Sequence, residues 1–393
     1  MQDFESFSAA EAGLLETATS RTGLDDFGEP SFREGLRQLL AALDAGVPRS
    51  PAARAACQGV IVQHLTGRLY AQAGWNRRPE TLAKALPRPV FIVGAPRTGT
   101  TALHLLLAAD PAWQGLESWL TFTPMPRPPR EAWMEHPEYA AAAAASEARL
   151  KAQPELKSIH YVGPGEVDEC LRITGQTFCS NVFGSVMSVP RYDAWFRTQD
   201  FRPVYRRLAD NMRLIGADEP DRRWLLKNPS HLLNLEELLE VFPDASVIHT
   251  HRDPLTSFPS FWSLVSRHQR ALDEDNWTPR RNPDRELALW GEALNRSVEL
   301  QRRHPGRILD VYEADIAARP MELAAEIYDF VGQPLTSEAR QAMAGRVADN
   351  PKGKHGAHRY ALADFQSTPE EVTGHVGPYR AHHGFDARRP VPA

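Results

Sequence analysis

The sequence predicts an α/β protein: a parallel sheet flanked by helices, with a helical extension before it and a large, mostly helical insertion within it. Three patterns lead there. Short β-branched and aromatic runs recur at Pro89–Gly94, Trp224–Leu226, Ala245–His249 and Arg307–Val311. Each is followed by a segment of helical period, at 101–109, 231–241, 254–270 and 319–332. Before residue 87 the period is helical alone. Repeated strand-then-helix units build a doubly wound sheet, because a parallel connection needs a crossover that a helix supplies. Such a sheet takes its ligands at the carboxyl ends of its strands.

Taken in order, residues 1–86 divide into helices with short breaks. Phe32, Leu36, Leu39, Leu40 and Leu43 fall on one helical face, and Gly46 and Pro48 stop that helix. From Ala52 to Ala73, Val60, Ile61, His64, Leu65 and Leu69 share a second face. The chain therefore reads as a helical extension (1–86) and an α/β domain (87–393). Inside the latter, 110–222 is a mostly helical insertion that opens on the Pro-rich stretch 124–130. An insertion of this size on an α/β core is placed to shape a substrate pocket.

The 393 residues are 42% hydrophobic and 24% charged, the balance of an ordinary globular chain. A net charge of −5 argues against bulk nucleic-acid binding but leaves room for a local anion pocket. Three scattered cysteines (Cys57, Cys170, Cys179) form neither a disulfide framework nor a Cys-type zinc site. The opening MQDFESFSAAEAG lacks the pattern of a secretory leader, and no apolar run approaches the ~18 residues that cross a bilayer. The expected location is cytoplasmic.

The sharpest feature is Gly94-Ala-Pro-Arg-Thr-Gly-Thr-Thr101. A Gly-bearing loop between a strand and a helix leaves backbone N–H groups unpaired at the positive end of the helix dipole, which makes it an anion seat. Arg97 adds a fork suited to phosphate, and Thr98, Thr100 and Thr101 add hydroxyls beside Gly99. The loop is P-loop-like without being an NTPase loop. That motif wants Lys after its second Gly, where this chain has Thr100. No strand ends in a clear magnesium-binding acid either, Asp253 and Asp310 being poor candidates.

Two further windows carry cations. In Val247-Ile-His-Thr-His-Arg-Asp-Pro254 a strand runs out into Arg252, and Ser260 stands eight residues later. Arg252 at the strand end and Ser260 two helical turns along can reach one phosphate together. Taken alone, Arg252 would be a surface ion pair with Asp253. The third window, Asn350-Pro-Lys-Gly-Lys-His-Gly356, is a basic loop followed by His358-Arg-Tyr360.

Together these windows resemble those of the sulfotransferases that use 3′-phosphoadenosine-5′-phosphosulfate (PAPS). The loop is similar to the Pro-Arg-(Ser/Thr)-Gly-Thr-Thr version of bacterial and tyrosylprotein sulfotransferases. The resemblance spans about 89–365. It implies a P-loop-like α/β fold and sulfuryl transfer to a hydroxyl of a small molecule, lipid or sugar. It assigns the 5′-phosphosulfate to Arg97–Thr101, and the 3′-phosphate to Arg252, Ser260 and Lys352, with Lys354 and Arg359 as further candidates. It points to Lys227, in Lys-Asn-Pro229, as the cation on the bridging oxygen, and no metal is required. For the base it leaves Glu117, His231 and His160 open, with Glu117 favoured and Ser118 at the family position should the register slip by one. Where many cytosolic members place an aromatic near the adenine, this chain has Ala102.

The alternatives are a P-loop kinase or NTPase and a non-catalytic nucleotide-binding protein on the same fold. His249 and His251 share a strand face, but their spacing offers no third metal ligand, so no metal site is expected. Aromatics in the insertion (Trp113, Trp119, Phe122, Trp133, Tyr161) and at Phe261 and Trp262 suit an apolar acceptor or an ordinary core equally.

Overall fold

A computed structural model describes residues 6–152, 162–274, 277–349 and 360–386. Among the described residues the chain forms a five-stranded sheet flanked by helices. The strands are β1 (Val90–Gly94), β2 (Trp113–Gln114), β3 (Arg223–Lys227), β4 (Ser246–His251) and β5 (Ile308–Tyr312), in the order β2-β3-β1-β4-β5. β3, β1, β4 and β5 run parallel, with Phe91 opposite Leu226 on one side and Val247 on the other. Each lies within two residues of its expected position. The first element to follow β1 is the Thr100–Leu107 helix, as the helical period there requires.

Two differences from the expected helices have local causes. The segment after β3 opens as a 3₁₀ turn, Pro229–Asn234, before the Leu235–Val241 helix. The Asn228 side chain accepts from Ser230 N at 3.0 Å and so caps that turn. The segment after β5 is two helices, Glu313–Ala318 and Pro320–Val331, because Arg319 before the proline leaves the helical region (φ −142°, ψ 56°).

The chain divides into two compact units. One holds residues 1–87, 114–224 and 268–276; the other holds 88–113, 225–267 and 277–393. The second carries the parallel strands. Alternate residues of β1 serve its two faces. Val90 and Ile92 join Leu225, Ile248 and Val311 under Leu103, Leu107, Ile327 and Val331. On the opposite face Phe91 meets Phe242 and His231, ring centroids 5.0 and 5.6 Å away. Burial on both faces explains why β1 reads as a continuous apolar run.

The first unit is helical, built on the 27-residue Pro51–Arg77 helix. Arg68, on that helix, is nearly fully buried, and its guanidinium donates to Phe27 O (2.7 Å), Gln176 O (3.3 Å) and Glu29 O. Burial lowers its pKa to about 10. The sequence gives no cue for this tie, since its acceptors are backbone carbonyls from distant segments.

Candidate functional site

The loop between β1 and its helix is held by Thr98. That side chain is fully buried; its hydroxyl donates to Ala95 O (2.7 Å) and lies 2.6 Å from Thr250 Oγ1. Thr98 therefore shapes the loop from inside rather than offering its hydroxyl outward. Gly94, at φ 148°, passes so near β4 that a Cβ would stand 2.4 Å from Thr250 Oγ1. Arg97 itself takes a positive φ of 70°, a conformation a side chain adopts only when its surroundings hold it there.

Arg97, Arg252 and Ser260 come together although they are far apart in sequence. Arg97 Nε donates to Ser260 Oγ at 3.1 Å, and Arg252 Nη1 donates to Arg97 O at 3.4 Å. Atoms around the Arg97 guanidinium desolvate it, though it keeps solvent access, and Arg252 adds a like charge. Both lower its pKa, against a smaller opposite effect from Tyr360. Two guanidiniums crowded in this way form a natural seat for an anion. Asp253 does not neutralise Arg252. It takes the fork of Arg380 at 3.0 and 3.3 Å, while Glu313 reaches Arg252 only at 3.9 Å. Lys352, Lys354 and Arg359 lie outside the described residues. Tyr360, just beyond them, is within electrostatic reach of Arg97.

Lys227, the last residue of β3, is almost fully buried, and its Nζ donates to Thr101 Oγ1 at 3.1 Å. That bond brings the cation to the first turn of the loop's helix, which begins at Thr100 after Gly99 as N-cap. The position after the loop's second Gly lacks a lysine in sequence, and a neighbouring strand supplies one in space.

Of the candidate bases, His160 lies outside the described residues. His231 is 1% exposed and packs edge-on to Phe91; burial lowers its pKa to about 3. It is neutral at pH 7 and sealed from solvent. Glu117 belongs to the helical unit. Residues 116–118 pair with 166–168 as a short antiparallel bridge, through Ser118 N to Glu166 O and Asp168 N to Leu116 O, both 2.8 Å. Neighbours on an extended segment point opposite ways. The Glu117 carboxylate accordingly goes to Arg127 Nε (3.0 Å), whose guanidinium also holds Gln114 (2.9 Å) and Glu219 (2.8 Å). Ser118 turns to the other side, where its Oγ donates to Asp168 Oδ2 at 3.0 Å and both residues line a cavity.

His249 and His251 acquire a third neighbour that their spacing did not offer. Asp310 on β5 stands in register with His249 and accepts from His251 Nε2 at 3.0 Å. One donor atom from each of the three lies within 4.8 Å of the others. His251 Nδ1 is 2.9 Å from Tyr379 Oη, and Gln301 donates to the second Asp310 oxygen at 2.5 Å. With Asp253 held by Arg380 and Asp310 by His251 and Gln301, both acids weighed for a magnesium site are otherwise engaged.

Fold and site together define an α/β protein with cations gathered at the carboxyl ends of parallel strands, around a helix-opening loop. Comparison with known proteins gives its family. The family model for the sulfotransferase family matches residues 89–337, well over half of the chain, and the chain belongs to that family. It is an enzyme that transfers a sulfuryl group. It is similar to the omega-hydroxy-beta-dihydromenaquinone-9 sulfotransferase Stf3 of Mycobacterium bovis, 26% identical over 336 residues, which cover 83% of this chain and 82% of that protein. The crystal structure of sulfotransferase STF1 from Mycobacterium tuberculosis H37Rv superposes with a TM-score of 0.86 and 34% identity, over 95% of this chain and 99% of the other. That of STF9 from Mycobacterium avium gives 0.86 and 27%, over 97% and 98%.

Proposed function

We propose that the chain moves the sulfuryl group of PAPS to a hydroxyl of an apolar, lipid-like or small-molecule acceptor, in the cytoplasm and without a metal. The observation that carries the donor assignment is the bond from Arg97 to Ser260. It joins the loop suited to a 5′-phosphosulfate to the strand-end pair suited to a 3′-phosphate. Ser260 accepts from Arg97, so its own proton is left to donate to a phosphate oxygen. Thr101, which accepts from Lys227, is placed likewise.

In the proposed reaction the acceptor oxygen attacks sulfur in line and the bond from sulfur to the bridging phosphate oxygen breaks. Adenosine 3′,5′-bisphosphate leaves with the electron pair. Lys227 and Arg97 stabilise the charge that grows on the bridging oxygen. Glu117, oriented by Arg127, is the proposed base that takes the hydroxyl proton. Lys352 is proposed to cover the 3′-phosphate. The lipid-like acceptor class draws support from the name of Stf3, which describes a menaquinone sulfotransferase. No described helix is long and apolar enough to cross a membrane.

Incubation with ³⁵S-labelled PAPS and a panel of hydroxylated lipids and metabolites tests this reading. Label should appear on an apolar alcohol and disappear in Lys227→Ala. Transfer of ³²P from γ-³²P-labelled ATP to the same panel instead would favour a kinase.

A further inference from the structure

The Pro369–His382 helix meets the carboxyl end of β4 with two consecutive residues. Tyr379 Oη lies 2.9 Å from His251 Nδ1, and the Arg380 guanidinium donates to both Asp253 oxygens, at 3.0 and 3.3 Å. The residues held in this way stand on either side of Arg252. Arg252, between them, is left to donate to Arg97 O at 3.4 Å.

A kink sets the aim of this helix. Val376 leaves the helical region (φ −122°, ψ 15°), and Pro378 has no N–H to offer the carbonyl of Gly374. His375 O and Tyr379 N are a pair that an unbroken helix would join. Asn295, on the Arg281–Arg303 helix, binds both: its Nδ2 donates to His375 O at 2.8 Å, and its Oδ1 accepts from Tyr379 N at 3.1 Å. A side-chain amide set into the ladder in this way holds a kink in place. Gly291, one turn earlier, permits the close approach, since a Cβ there would stand 3.0 Å from His375 O.

Charge says what the contact with Asp253 does. A free carboxylate next to Arg252 would pair with it and cancel part of the charge that a phosphate needs. Arg380 is buried, and its Nη1 is also held by Asp386 (3.0 Å) and Thr373 Oγ1 (3.3 Å). The Asp253 carboxylate is therefore engaged by a cation that is itself fixed. Asp253 Oδ1 also accepts from Leu255 N at 3.1 Å, which caps the Pro254–Asp273 helix.

We propose that Tyr379 and Arg380 are positioning residues for the 3′-phosphate site. They act through Arg252, by holding the strand end around it and by keeping Asp253 off it, and Asn295 fixes the kink that aims them. This rests on the assignment of Arg252 to the 3′-phosphate above, and it adds the C-terminal helix to the machinery of donor binding.

The test is titration calorimetry of the full chain with adenosine 3′,5′-bisphosphate and with 5′-AMP. Arg380→Gln should weaken the bisphosphate by at least about fivefold, and by no more than Arg252→Ala does, with 5′-AMP unchanged within about twofold. Adding Asp253→Asn to Arg380→Gln should restore the affinity, because asparagine keeps the helix cap and removes the rival charge. In an Arg252→Ala background, Arg380→Gln should cost less than about twofold, as expected of a residue that acts through Arg252. Tyr379→Phe keeps its ring against His383 and loses only the hydroxyl. It should weaken the bisphosphate alone, by about twofold to tenfold. Equal losses for both nucleotides, no rescue by Asp253→Asn, or a full loss in the Arg252→Ala background would each overturn the proposal. A preference for the bisphosphate that Arg380→Gln and Tyr379→Phe leave intact sinks the positioning role alone; no preference in the unaltered chain sinks the 3′-phosphate reading itself.

Discussion

Arg97 and Ser260, 163 positions apart, share a 3.1 Å hydrogen bond in which the guanidinium donates and the hydroxyl accepts. The bond orients Ser260 so that its proton faces away from Arg97, and it fixes a guanidinium whose backbone is itself held at positive φ. A phosphate bound beside Arg252 would meet a donor set already in place, so little ordering entropy would be lost on binding.

Removing either partner of the 3′-phosphate separates charge from geometry. Arg252→Ala should weaken adenosine 3′,5′-bisphosphate by about 1.5–3 kcal/mol, roughly ten- to 150-fold, and Ser260→Ala by about 0.5–1.5 kcal/mol. Neither should alter 5′-AMP binding by more than about twofold, because 5′-AMP lacks the phosphate they are proposed to hold. Titration calorimetry of both nucleotides on both variants checks this.

Lys227 is expected to act on the reaction more than on binding. Lys227→Met keeps much of the buried volume and removes the donor to Thr101. Single-turnover kinetics should show sulfuryl transfer slowed at least 100-fold, with nucleotide affinity changed less than tenfold. An equal loss in both would make Lys227 a binding residue.

The proton acceptor can be separated by parity along one extended segment. Glu117→Gln should bind nucleotide normally and lose turnover by about 10²–10⁴ if Glu117 is the base. Retained activity in Glu117→Gln, with loss in Asp168→Asn, would move the function to the cavity face that Ser118 and Asp168 share.

Acid should weaken the fold through two buried histidines. Burial, with the nearby Arg172 cation, lowers His64 to about 4, and burial lowers His231 to about 3. An unfolded histidine titrates near 6.5, so between that value and the folded pKa the unfolded state binds more protons. Their contribution is therefore fully present above about pH 6.5 and is lost as pH falls, by about 1.4 kcal/mol per pH unit for each histidine. His231→Gln should flatten the slope of unfolding free energy between pH 6.5 and 5, measured by urea titration. An unchanged slope would mean that His231 is not buried as described.

What could be read from the sequence was local. The strand, Gly loop and Thr helix at 90–107 show in consecutive residues, and so does the eight-residue step from Arg252 to Ser260. What escaped depended on pairing between distant segments. The bridge of 116–118 with 166–168 decides that Glu117 faces Arg127 and Ser118 faces the cavity. A one-residue slip in that register would exchange them, and nothing in the local pattern fixes it. Asp310 joins His249 and His251 only through the pairing of β4 with β5. Arg380 claims Asp253 from 127 positions away, which displaced the local ion pair that adjacency suggested for Arg252.

The most direct test of the account is a thermal-shift comparison of adenosine 3′,5′-bisphosphate, ADP and 5′-AMP at equal concentration and fixed ionic strength. The account predicts that the 3′,5′-bisphosphate raises the melting temperature well above the other two, and that Arg252→Ala abolishes the difference. Equal shifts from all three nucleotides in the unaltered chain would contradict it.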